Sequence, residues 1–537
     1  MQNARASGFI WGATAATLAL AGSPAIATEL PIPCAPCNVA GTPPLVWVSS
    51  GTATLGGDAT HMLINAGTSS QPNVVLNWQS FNISADGSVQ FVQPSSTAIA
   101  LNRIYQSDPS RIFGNLTANG QVYLLTQNGI LFGNPDGSPM QVNVQSLIAS
   151  TLPISDSAIS NGILAPISGN QAAFSGSTGA IQVNGGAALK SADGGRIALF
   201  APTVTNGGHI ESPDGQVLLA AGKSIYLQSS DDPNLRGLLV EVDQGGTVTN
   251  TGTVLSQLGN ITFVGLAVNQ SGRVTATTSV TKGGSISLLA RDTVAVQVVS
   301  GGRHVAQATH TGSVEFGAGS VTEVALDSNN GETAIDDQPQ PVSAITVDGR
   351  QIHMAGGSAI VAHGGSVAMT AELDPTLAGT AQPDSPDAAI QLDAASTIDV
   401  SGLSVDVAME RNQVTAQLRG NELRDDPQQR DGVLRGQTVV IDARVGTPLA
   451  DLSGYITGAT GRTVTERLGN GGTVKLLSQG AATVANGATI NLSGGAVNYL
   501  PGVVNTTKLI GANGQVYDIG SAPANVVYVG LYGPATS

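Results

Sequence analysis

Beyond residue 40 the chain alternates apolar and polar positions in runs of five or six residues, each closed by a Gly, Asn or Asp turn and followed by another run. A period of two sends successive side chains to opposite faces of a strand, and the 3.6-residue period of an amphipathic helix is nearly absent. The clearest runs open on paired turn residues: GGRIALFA at 194, DGQVLLAA at 214, GNITFVG at 259, GGSISLLA at 283, GGSVAMTA at 364 and GGTVKLLS at 471. The closest openings lie about 20 to 25 residues apart, a solenoid period. One such unit cannot bury its own Val, Ile and Leu side chains, whereas stacked units make a continuous apolar column. The pattern predicts an all-β chain folded as a right-handed parallel β-helix, with a capping region at its N-terminal end because a first rung has nothing to stack on.

Composition narrows this further. Of 537 residues, 68 are Gly, 41% are hydrophobic, and only 11% are charged and 4% aromatic, which is strand-and-turn chemistry and fits neither an ordinary compact enzyme nor a disordered chain. The formal net charge of -15 argues against nucleic acid or an anionic membrane surface as a partner. The first 27 residues read as an export signal: Arg5, an apolar stretch from Phe9 to Ala21, then Pro24 and the small-residue site Ala25-Ile26-Ala27. That stretch is shorter than the ~20 residues a membrane span requires. Cys34 and Cys37 follow in PCAPC, and an oxidising compartment favours a local disulfide between them.

One segment breaks the monotony. From Glu410 to Arg435 there are ten charged residues in 26, expected to leave the rod as a solvated loop or hairpin or as a partner-binding protrusion.

Near the start, ALNRIYQSDPSRIFGNLTANGQVYLLTQNGILFG holds the pairs Asn119-Gly120 and Asn128-Gly129, read as positive-φ turns that let the chain reverse within two residues and nucleate the first strands. Together with LNWQSFNISADGSVQFVQPSSTAIALNRI (76 to 104) and VNVQSLIASTLPIS (142 to 155), this stretch resembles the secretion domain of the filamentous haemagglutinin family, the exported partners of two-partner secretion. Later segments, LRGNELRDDPQQRDGVLRGQTVVIDAR among them, resemble the body of the larger members.

The resemblance implies a bacterial exoprotein recognised in the periplasm by the POTRA domains of an outer-membrane transporter, folding outside, and secreted or held at the cell surface. It maps recognition and nucleation onto Asn77, Asn102, Arg103, Asn119, Gly120, Asn128 and Gly129, each of which could equally be a structural turn residue. Where the family has Asn-Pro-Asn-Gly, this chain has Thr126-Gln127-Asn128-Gly129, so a proline-set φ and a local side-chain hydrogen bond are missing.

The expected organisation is a signal peptide at 1–27, a CxxC segment at 28–59, the secretion domain at 60–190, β-helix repeats at 191–409, the charged insertion at 410–436 and further repeats at 437–537. Catalysis on a β-helix needs acids and bases gathered on neighbouring rungs, but the carboxylates here are thinly spread. The six histidines, the near pair His304 and His310 included, lack metal-ligand spacing. We therefore expect no catalytic residues, metal or cofactor. The functional expectation is a non-enzymatic adhesin or haemagglutinin meeting a host-cell or bacterial receptor, the alternative being a polysaccharide-acting enzyme or a toxin-delivery stalk. The last residues, VYDIGSAPANVVYVGLYGPATS, lack cap signals; they suggest the N-terminal part of a longer fibre whose end self-associates.

Overall fold

The computed structural model describes residues 29–39, 44–155, 171–176, 178–230, 237–299, 302–327, 331–335, 337–377 and 385–533. The export signal lies outside them. The chain winds repeatedly through three long sheets, returning to each in turn: Gln121–Thr126 in the first, Ile130–Phe132 in the second, Met140–Val144 in the third, then Ser146–Ser150 back in the first. Strands of successive coils pair in parallel and in register within each sheet, as in Val122↔Leu147 and Ile130↔Ile181. This is a three-faced β-helix, and it bears out the fold predicted from the period.

Each sheet contributes one inward row of side chains to a single column. The first sheet gives Val122, Leu147, Ile197, Val217 and Ile261, the second Phe132, Val183, Val204 and Val248, and the third Val142, Leu189, Ile210 and Val254, all essentially without solvent exposure. All six paired-turn openings of the sequence begin first-sheet strands, from Arg196–Ala201 to Thr473–Ser478. Their glycines stack where the backbone of one coil nearly touches the next: a Cβ on Gly215 would meet the Gly195 carbonyl at 2.1 Å, and one on Gly259 would meet that of Gly215 at 2.2 Å. Polar ladders line other corners. Asn206 Nδ2 donates to Asn250 Oδ1 at 2.7 Å, and Asn250 Nδ2 donates to Gln270 Oε1 at 2.7 Å, all three side chains being fully buried.

The N-terminal end is covered by antiparallel pairing. Ile32–Pro33 and Val48–Ser50 both lie against Val74–Ser80, and Ala53–Gly57 folds back on His61–Ala66. A second departure gives the column an apolar exterior on one side. Gln216–Ser229 runs past the sheet and pairs antiparallel with Leu238–Gly245, and Ser285–Val298 does the same with His304–Thr311. With Phe174, these arms place Ile225, Leu227, Leu238, Val240 and Val242 over the outward residues Tyr123, Ile148, Phe200, Leu218 and Val264. First-sheet strands here are buried on both faces, which is why RIALFA and QVLLAA are nearly continuous apolar runs.

The C-terminal expectation needs correcting. Among the described residues from 437 onward, only Thr473–Ser478, Ala481–Val484 and Thr489–Asn491 form a coil of the column. The charged stretch belongs to a larger lobe. Gln413–Gln417 pairs with Thr438–Asp442, short helices form at Pro427–Arg430, Ser453–Ala459 and Val464–Arg467, and Lys508–Gly511 makes a small sheet with Val516–Asp518 and Tyr528–Tyr532.

Leu418, Leu423, Leu434, Leu452, Leu509, Ile519 and Tyr528 give this lobe its own core. The final segment, expected to end the rod, is therefore packed to one side of it. The turn-rich composition of 443–470 concealed its helices, although Thr463 and Glu466 form a capping box whose T-x-x-E spacing is visible in the sequence. An ion pair between Arg411 and Glu466 braces the lobe internally, and Arg467 ties it to the column, its Nε donating to Gln340 Oε1 at 2.9 Å.

Candidate recognition region at the N-terminal end

The seven residues singled out from the sequence do not form one site. Asn77 and Arg103 are opposite one another on adjacent first-sheet strands. Asn77 is 1% exposed; its Nδ2 donates to the Val46 carbonyl at 2.8 Å and its Oδ1 accepts from the Tyr105 hydroxyl at 3.4 Å, so it fastens the N-terminal cover to the column. Asn102 points inward and is fully buried. Its Oδ1 accepts the Trp78 indole N–H at 2.9 Å while its Nδ2 donates to the carbonyls of Ala100 and Tyr123 at 3.0 and 3.1 Å. Trp78 in turn packs edge-on against Phe81, with ring centroids 5.2 Å apart. In the folded chain Asn102 completes the capping core and offers no surface to a partner.

The two Asn-Gly pairs are corners and not reversals, because the strands flanking each belong to different sheets and pair with the next coil instead of with each other. Asn119 lies between Asn115–Ala118 and Gln121–Thr126. Its side chain copies a backbone pairing with Gln93, accepting from the Gln93 N–H at 2.7 Å and donating to its carbonyl at 2.8 Å. Gly120 is required for space: a Cβ there would meet the Gln93 side chain at 2.5 Å, and its φ is not positive.

Gly129 does need its positive φ, +110°. Beside it, Asn128 Nδ2 donates to the Gln106 carbonyl at 2.6 Å. Thr126 Oγ1 accepts from the Asn128 N–H at 3.4 Å, a local bond of the type the missing Asn-Pro would have supplied, made by a residue the sequence comparison set aside.

Arg103 and Asn128 face a cavity of about 630 Å3 that also takes in Cys37, Tyr105, Leu125 and Ile154. Cys34 and Cys37 are joined by a disulfide, which stiffens one wall. Burial raises the Tyr105 phenol above its usual range, with Arg103 acting in the opposite direction. Sequence reasoning missed Tyr105, Gln93 and Gln106, whose partners are some 20 to 30 residues away, about one coil. It also missed Glu29, which accepts from Asn82 at 2.5 Å and pairs with Arg111 at 3.1 Å, pinning the first described residues to the column.

A stacked parallel column with an antiparallel cover at its N-terminal end and hairpins laid over one face defines a capped β-helical domain. Residues 48–305 match the TPS secretion domain family, so this part of the chain is a secretion domain of the kind found at the N-terminus of two-partner secretion exoproteins. The match continues past residue 190, the limit expected from sequence, and takes in the first extra-helical hairpin and the outgoing strand of the second.

The chain is 31% identical over 166 residues to a heme/hemopexin-binding protein of Haemophilus influenzae, a match covering 30% of this chain and 17% of that protein. A second heme/hemopexin-binding protein of that species is 41% identical over 76 residues, 14% of this chain and 8% of the relative. The chain thus spans less than a fifth of either relative's length. The HMW1 secretion domain from Haemophilus influenzae shares the fold with a TM-score of 0.50 at 21% identity, over 67% of this chain and 85% of that one.

Proposed function

We propose that the chain is exported through a dedicated outer-membrane transporter whose periplasmic POTRA domains recognise its N-terminal region, and that outside the cell it acts as a non-enzymatic filamentous adhesin or haemagglutinin for a host-cell or bacterial surface receptor. The observation that carries the export reading is the TPS secretion domain at residues 48–305. The adhesin reading draws on the rod itself, a long surface of repeated exposed positions with its apolar residues turned inward. Arg103 and Asn128, which face the cavity beside the disulfide, are the recognition residues we favour, with the buried Asn77, Asn102 and Gly129 and the corner pair Asn119 and Gly120 serving nucleation.

Deleting residues 60–155 is expected to strand the product in the periplasm when the transporter is co-expressed; normal release of that deletion would overturn the export reading. For adhesion, purified chain is expected to agglutinate erythrocytes or to retain bacteria on a coated surface, and the absence of both activities would remove that part. The heme and hemopexin in the relatives' names are not carried over, since the matched lengths are small fractions of those proteins.

A further inference from the structure

The two ends of the column are finished differently. At the N-terminal end Leu76, Trp78 and Phe81 have no solvent exposure beneath the antiparallel cover. At the other end the last coil is made of Thr473–Ser478, Ala481–Val484 and Thr489–Asn491, each the terminal member of its sheet. Its inward row is in register with fully buried residues of the coil before: Val474 on Val367, Leu476 on Met369, Ala482 on Ile390, Val484 on Leu392 and Ile490 on Ile398. In the last coil the same row is uncovered. Val484 is 47% exposed, Ala482 is exposed, and Val474, Leu476 and Ile490 are only half-buried.

The strand edges around this apolar centre have no partner on their far side among the described residues, and such edges are templates for pairing with another chain. Lys475 is the one charged side chain on the three strands. The alternation that turns Val474 and Leu476 inward puts it on the outer wall, away from the end face. A partner for this face must offer three strand edges around an apolar middle. The N-terminal end of another copy does not, because its cover closes it, so head-to-tail growth is blocked. The same end face of a second copy does. A two-fold axis across the column end reverses the sense of winding, so facing strands run antiparallel, their edge N–H and C=O groups pair, and the two apolar rows meet.

We propose that this end face is a homodimer interface, on which two copies join tail to tail through the edges and inward row of the last coil. A self-complementary contact of this kind closes at two molecules. It moves the self-association expected of the final residues to another surface, since Ile519 and Tyr528 pack into the lobe.

The test is sedimentation velocity of the full chain from about 1 to 100 μM at physiological salt, where a screening length of about 8 Å limits repulsion between two acidic molecules. A monomer–dimer equilibrium with no larger species is expected. Val484→Glu, which sets a carboxylate in the middle of the face, is expected to weaken dimerisation at least about tenfold at an unchanged thermal midpoint. Val529→Glu, on the exposed edge strand Tyr528–Tyr532 of the lobe, is expected to dimerise as wild type does. If Val484→Glu does not fold, hydrogen exchange of wild type at the two ends of that concentration range decides, greater protection of 473–491 in the concentrated sample supporting the interface and equal protection overturning it. A strictly monomeric wild type, growth beyond the dimer, or a dimer lost in Val529→Glu but kept in Val484→Glu would also overturn it.

Discussion

Asparagine illustrates how far context decides a residue's role in this chain. Asn102 satisfies a buried indole, Asn119 imitates a backbone pairing with Gln93, and Asn128 ties its corner to the Gln106 carbonyl of the preceding coil. Their truncations should differ accordingly. Asn102→Ala leaves the Trp78 N–H and two carbonyls without their partner inside the core and is expected to cost about 2–3 kcal/mol, whereas the exposed Asn128→Ala is expected to cost less than about 1 kcal/mol. Urea unfolding of the two variants checks the ranking. Gly129→Ala should cost about 1 kcal/mol or more through its φ of +110°, and a variant as stable as wild type would show that the corner can relax.

Elements are held by what stacks across coils, and the strength of that stacking varies along the rod. The Phe174 side chain, fully buried and 5.2 Å from Phe200 between ring centroids, anchors the extra-helical arm over the first sheet. Phe174→Ala is expected to cost about 3–5 kcal/mol and to expose the arm Gln216–Ser229 to limited proteolysis before the column is cut. On the second sheet, His353 bridges Glu315 at 2.8 Å and Asp393 at 2.9 Å, linking three successive coils. Burial opposes the charged imidazole, but the two carboxylates prevail and its pKa is raised. Such a group stabilises the fold fully below its unfolded pKa and loses the contribution as pH rises through the folded one. Wild type should therefore lose a small increment of stability between pH 6 and pH 8 that His353→Gln lacks, read as the difference between their denaturation midpoints.

At the scale of the whole molecule the two largest bodies of apolar contact among the described residues, besides the extra-helical face, are the long column and the C-terminal lobe built on Leu418, Leu434, Leu509 and Tyr528. A stacked column is held by nearest-neighbour interfaces, and a lobe with a core of its own need not unfold with it. Denaturation of the full chain is expected to show more than one transition, with Leu509→Ala moving the lobe's transition and leaving the column's in place. A single cooperative transition shifted as a whole by that substitution would show that contacts such as Arg467 to Gln340 couple the two bodies tightly.

Sequence alone determined the architecture of the column. Period-two runs of Val, Ile and Leu opened by paired turn residues can only be buried by stacking, and the glycines at those openings sit where backbones of successive coils touch. It also marked the stretch that forms the first coils beneath the N-terminal cover, although of its seven residues the fold brings only some to one corner. Tertiary structure decided the rest, for a physical reason common to all the cases. A ladder such as Asn206, Asn250 and Gln270, the acceptor for Trp78, and the ion pair of Arg291 with Glu241 are each assembled from residues about one coil or more apart, so no local pattern records them. The lobe was hidden in the same way, since its leucines acquire a shared core only when Thr438–Asp442 meets Gln413–Gln417 and Leu509 closes over both. Periodicity fixes which face of a strand turns inward; only the stacking of the coils fixes which residues meet.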